Sequence, residues 1–168
     1  MRYSRQRNTF SCGPTAFLNA LKWAGANVTE KSHNKLLRKI CCCSWPLSEF
    51  LGVKGTESHI FNVAIRVFDE MYIAGCYFDF SECELREYLK SGGSAILRYF
   101  HEDGGSEGHY VFCSSYKNKK YELINNEWDT TISYRTQKYL EKILSNKGKG
   151  FGSTEDCIVW LISKTEGA

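Results

Sequence analysis

The feature that most limits the folds open to this chain is a change of hydrophobic period part-way along it. In the first half, apolar residues recur at helical spacing. They are Ala16, Phe17, Ala20, Leu21 and Ala24 in "CGPTAFLNALKWAG", and Ile60, Ala64, Val67 and Phe68 in "GTESHIFNVAIRVFDEMY". "EKSHNKLLRKI" predicts a short helix between them. From "CYFDF" onward the pattern is that of strands: "SAILRYF", "HYVFCSSY", "YELINNEW" and "DCIVWLIS", with "KNKK" as a hairpin turn joining the second and third of these four. Two helices interrupt this half. "SECELREYLKSGG" opens with Ser81 three residues before Glu84, a capping box, and Gly92–Gly93 can end it; "RTQKYLEKILSN" is the other. "HEDGGSEG" and "NKGKGFG" read as glycine-rich loops with room to contact a substrate. A helical first half followed by hairpin-linked strands predicts an α+β fold with an antiparallel sheet.

The 168 residues suit one domain over 1–168. A net charge of +3 is too mild to call for nucleic acid, and no apolar stretch is long enough for a bilayer, so neither partner is expected. The charges in "MRYSRQRN" have no apolar segment behind them, so no secretory signal is expected either. In that setting most of the eight cysteines read as reduced thiols of a cytoplasmic protein. Cys41, Cys42 and Cys43 lack the spacing by which two thiolates reach one zinc ion. They read as packing residues, with metal binding as the alternative. No metal and no cofactor is expected.

Cys12 stands apart because it opens a helix, followed by Gly13 and by Pro14 in the first turn, where a missing N–H is harmless. A helix start offers unpaired N–H groups and the positive end of the macrodipole, and both favour a thiolate, the reactive form. Gln6, six residues upstream, carries an amide that can donate to an oxyanion alongside the Cys12 N–H. His109 opens a strand directly after a glycine-rich loop and can exchange a proton with the thiol. His101, at the end of the preceding strand, is its rival; His33 and His59 read as ordinary helix residues. In "INNEWD" an asparagine can hold the imidazole in one tautomer. Strand alternation slightly favours Asn125.

In order, "Q-x5-C-G-P-T-A", "GHYVF" and "INNEW" resemble the papain-like cysteine peptidases, above all the compact bacteriocin-processing (double-glycine-leader) type and its stand-alone relatives. The resemblance implies a helical half bearing the nucleophilic cysteine, packed on an antiparallel sheet bearing the histidine. It implies Gln6 as oxyanion donor, Cys12 as nucleophile, His109 as general base and acid, and Asn126, two residues before Trp128, as the group that orients His109. Leader-processing relatives mostly carry aspartate and proline at the orienting position, where this chain reads Asn125–Asn126–Glu127. The exporter and ATPase segments of transporter-fused relatives are missing from the sequence, so an exporter-coupled role is not expected. The implied activity is hydrolysis of a peptide or isopeptide amide in a peptide or protein substrate, through an acyl-enzyme. Acyl transfer or amidase chemistry on the same machinery, or a non-catalytic binding module, are the alternatives.

Overall fold

The computed structural model describes residues 3–6, 12–27, 29, 31, 71–100, 108–127, 130–146, 148–150, 153–155 and 157–164. The second expected helix apart from Lys31, most of the third, Cys41–Cys43, His33, His59, His101 and Trp128 lie outside them.

Helix α1 (Cys12–Ala24) is followed, within the described residues, by β1 (Met71–Phe78), α2 (Glu82–Lys90), β2 (Ser94–Phe100), β3 (Gly108–Lys117) and β4 (Lys120–Ile124). Next come β5 (Ile132–Thr136), α3 (Gln137–Ser145), β6 (Gly148–Gly150), β7 (Ser153–Glu155) and β8 (Ile158–Lys164). Six strands form one sheet in the order β1-β8-β2-β3-β4-β5, every neighbouring pair antiparallel, and β6 and β7 form a separate hairpin.

The sheet is covered on both faces, which is why its central strands read as nearly unbroken apolar runs rather than as alternation. Ile96, Tyr110, Phe112, Ile124, Ile158 and Trp160 pack on one face against Ala16, Phe17, Ala20 and Leu21 of α1. On the other face Leu97, Tyr99, Val111, Leu123 and Val159 pack against Leu85 and Leu89 of α2 and Leu140 and Ile143 of α3. The alanines of α1 let its backbone approach the sheet closely, while burial of Phe17 and Leu21 contributes roughly 1.5–3 kcal/mol for each side chain. A charge at Ala20, which has no exposed surface, would break that docking.

Local chemistry sets the element ends. Gly25, at φ 103°, closes α1 in a conformation that side chains disfavour. The Ser81 hydroxyl accepts from the Glu84 N–H while the Glu84 carboxylate accepts from the Ser81 N–H, completing the expected capping box at α2. The "KNKK" turn places Asn118 and Lys119 at φ 52° and 60°, the left-handed pair that suits the twist of a two-residue hairpin.

Three expectations at the strand level are corrected. Met71 and Tyr72, expected at the end of the third helix, pair with Lys164 and Ser163 on β8, so a partner strand sets their conformation. Residues 132–136, read as connection and helix start, form β5, and the helix begins only at Gln137 behind a Thr136 cap. "NKGKGFG", read as a loop, contains β6, which pairs with β7.

Candidate active site

The sequence singles out residues in three separate segments, and the fold brings these segments to one end of the sheet. Cys12 heads α1, is 6% exposed and belongs to the core cluster on the α1 face. Its N-terminal placement leaves the first helical N–H groups pointing past the thiol. His109 is the second residue of β3, half-buried, and sits opposite Tyr99 of β2 in the ladder, on the opposite sheet face from Tyr110. The rings of His109 and Tyr99 stand 5.6 Å apart and nearly perpendicular, at 83°. Cys12 lies close enough for a charge on its thiol to act on the Tyr99 hydroxyl.

Asn125 joins the pieces. Strand β4 ends at Ile124, and Asn125 turns into the left-handed region at φ 60°, which asparagine tolerates better than most residues. That rotation aims its carbonyl at His109, whose Nε2 lies 2.9 Å away. A carbonyl oxygen can only accept, so Nε2 carries the ring proton and Nδ1 is the basic nitrogen of the neutral ring. The side chain of Asn125 turns the other way. Its Oδ1 accepts the Gln6 N–H at 3.0 Å and its Nδ2 donates to the Ser4 carbonyl at 2.8 Å, while its own N–H donates to the Thr131 carbonyl at 2.8 Å.

The segment carrying Gln6 is pinned from the helix as well. Asn19, fully buried two turns along from Cys12, accepts the Ser4 N–H at 2.7 Å and donates to the Ser4 carbonyl at 3.0 Å, and Lys22 donates to the Ser4 hydroxyl. Residues 3–6 are thus clamped between α1 and the end of β4, with Gln6 next to the turn that holds His109. Asn19 is a polar residue on an apolar helix face, and that mismatch was the available signal for its role.

Asn126, expected to orient His109 by its side chain, is placed differently. Its Oδ1 accepts from the Tyr99 hydroxyl at 2.9 Å, and its Nδ2 donates to the Tyr139 hydroxyl at 3.1 Å. The imidazole bond comes instead from the backbone of the neighbouring Asn125, because the left-handed turn reverses the chain just where strand alternation would have been applied. Behind Asn126, the Arg135 guanidinium lies 5.0 Å over the Tyr139 ring and pairs with Glu127. Burial, then Tyr139 and Cys12, push the Tyr99 phenol well above the ordinary tyrosine range, against a smaller opposing effect of Arg135. Tyr99 stays a proton donor to Asn126 at any working pH. Among the described residues no cluster of side chains could hold a metal ion, and no helix is long and apolar enough to cross a membrane.

With this geometry in view, comparison with solved structures is informative. The peptidase domain of Streptococcus ComA, a bifunctional ABC transporter of a quorum-sensing pathway, superposes with a TM-score of 0.61 at 14% identity, covering 94% of each chain. A double-glycine-motif protease from an AMS/PCAT transporter, in complex with its leader peptide, gives 0.59 at 13% identity over 96% of this chain and 90% of that one. A C39-like peptidase from Bacillus anthracis gives 0.57 at 14%, over 98% and 96%. This is the papain-like fold. Neither a family model nor a curated protein matches the chain by sequence. The papain-like architecture accounts for the division seen here, with the cysteine on a helix head and the histidine at the start of a sheet strand. The expected α+β fold with its antiparallel sheet is therefore the observed one.

Proposed function

We propose that residues 1–168 form a single papain-like thiol peptidase domain that hydrolyses a peptide or isopeptide amide. The observation that carries this reading is the 2.9 Å bond from His109 Nε2 to the Asn125 carbonyl. It assigns the imidazole the tautomer a thiol needs, with Nδ1 as acceptor, at the sheet end where the head of α1 brings Cys12. Nδ1 takes the Cys12 proton, and the thiolate attacks the carbonyl carbon of the scissile amide. The negative charge moves to the carbonyl oxygen, where the Cys12 N–H and the Gln6 amide receive it. The C–N bond breaks as His109 returns its proton to the leaving amine. Water, deprotonated by the same nitrogen, then releases the acid and frees the thiol. One structural neighbour holds a leader peptide, which favours a peptide as the substrate class here.

The test is the pH dependence of alkylation at each cysteine, followed by mass spectrometry in the wild type and in His109→Ala. The expected result is that Cys12 reacts well below the range of an ordinary thiol, near ~8.5, and that His109→Ala abolishes this behaviour. If Cys12 tracks ordinary thiols and ignores the His109 substitution, the catalytic reading is wrong.

A further inference from the structure

The side chain of Asn126 lies one residue from the His109-binding carbonyl and yet bonds elsewhere, and its partners form a continuous chain back to the imidazole. Tyr99 has no exposed surface. Its ring stands perpendicular to His109 at 5.6 Å, and its hydroxyl donates to Asn126 Oδ1. Asn126 is in turn fixed by Tyr139, whose hydroxyl exchanges hydrogen bonds with both ends of the amide, and Tyr139 lies under the Arg135 guanidinium. We propose that Asn126 positions His109 through Tyr99: the amide anchors the phenol, and the phenol ring fixes the rotation of the imidazole about its side-chain bonds.

The physical need for such a device follows from the Asn125 bond. The hydrogen bond at Nε2 sets the distance of the ring along the N···O line but does not by itself fix rotation about that line. A perpendicular aromatic wall removes that freedom. Among the groups that meet His109 are the Tyr99 ring from β2 and the Asn125 carbonyl beyond β4. Tyr99 meets the imidazole directly. Asn126 and Tyr139 act at one and two steps removed, so all three are positioning residues.

This inference rests on the peptidase reading, and the experiment separates the two. In Tyr99→Phe the ring remains while its bond to Asn126 is lost; Asn126 Oδ1 keeps the Tyr139 hydroxyl as a donor, so no buried acceptor is stranded. The readout is the ratio of Cys12 alkylation rates at about pH 6 and about pH 9. It reports the thiolate–imidazolium pair and is insensitive to a general loss of stability. Tyr99→Phe, Asn126→Ala and the double variant are each expected to lower the ratio about fivefold, the order of one hydrogen bond, without adding to one another. The 15N shifts of the His109 ring are expected to show the same loss of a single tautomer. If Asn126→Ala lowers the ratio and Tyr99→Phe does not, Asn126 acts by another route and the inference is overturned. It is equally overturned if both leave the ratio unchanged while His109→Ala collapses it, an outcome that leaves the peptidase reading intact. Indifference of Cys12 to His109→Ala defeats both. Should Asn126→Ala fail to fold, Tyr99→Phe against the wild type carries the test alone.

Discussion

Replacing Asn125 tests the junction of the candidate site, because all four of its hydrogen-bonding positions are in use and it is 3% exposed. In Asn125→Ala the two side-chain bonds disappear. The Ser4 carbonyl keeps Asn19 as a donor, so that loss is worth about 1 kcal/mol. The Gln6 N–H loses its acceptor in a half-buried setting, which costs about 1–2 kcal/mol. Alanine at φ 60° adds about 1 kcal/mol of backbone strain that asparagine largely escapes. Together these put Asn125→Ala at about 3–4 kcal/mol of lost stability. Asn125→Gly loses the same two bonds but accepts the left-handed turn, so its loss falls to about 2–3 kcal/mol. Urea unfolding, followed by fluorescence from the buried Trp160, gives both numbers. An Asn125→Gly variant as stable as the wild type would show that the side-chain bonds to residues 3–6 do not hold the site together. Equal losses for Ala and Gly would remove the strain component.

Three further outcomes are expected. Asn19→Leu, which deletes both bonds to the Ser4 backbone inside the α1 face, lowers stability by about 2–3 kcal/mol in the same urea assay, although it makes the helix more apolar. Ser81→Ala destabilises by about 1 kcal/mol at neutral pH through loss of the α2 cap. The Ser81 hydroxyl and N–H hold the Glu84 carboxyl below the usual glutamate range. The capping box therefore contributes fully above that range, and its contribution fades as pH falls through the lowered value; the difference between variant and wild type, measured near about pH 2, shrinks accordingly. In native protein at about pH 8, a disulfide-exchange reagent labels Cys83 ahead of Cys76, because both are solvent-accessible but partial burial raises the Cys76 thiol. Cys113, fully buried and pushed much further up by that burial, is labelled only on unfolding.

Much of this architecture is legible in the residues, and the misses share a cause. Helix α1 carries its own start at Cys12–Gly13–Pro14 and its own stop at Gly25, α2 carries its capping box, and "SAILRYF" coincides with β2. Strand β5 escapes notice because its apolar residues point the wrong way. Ile132 and Tyr134 are 41% and 59% exposed, while Ser133 and Arg135 are the more buried pair and Arg135 turns to Glu127. Alternation is present there with its usual sense inverted, as an edge strand permits. The choice of Asn126 over Asn125 rests on its place two residues before Trp128 rather than on alternation, and neither signal reports on backbone carbonyls. Alternation predicts facing only while the backbone stays extended, and Asn125 leaves the extended region at the position in question. No residue pattern announces that a carbonyl rather than a side chain will meet His109.

The clamp on residues 3–6 also sets an order of assembly. Its hydrogen bonds join Ser4 to Asn19 across 15 positions, and Ser4 and Gln6 to Asn125 across 121 and 119. The bonds to Asn125 return nothing until helix and sheet have already met, since the loop between their ends must close first. Residues 3–6 are therefore among the last of the described segments to find their final places. A half-folded chain would hold its thiol and imidazole without the segment that carries Gln6, and the candidate site becomes complete only when the whole molecule is.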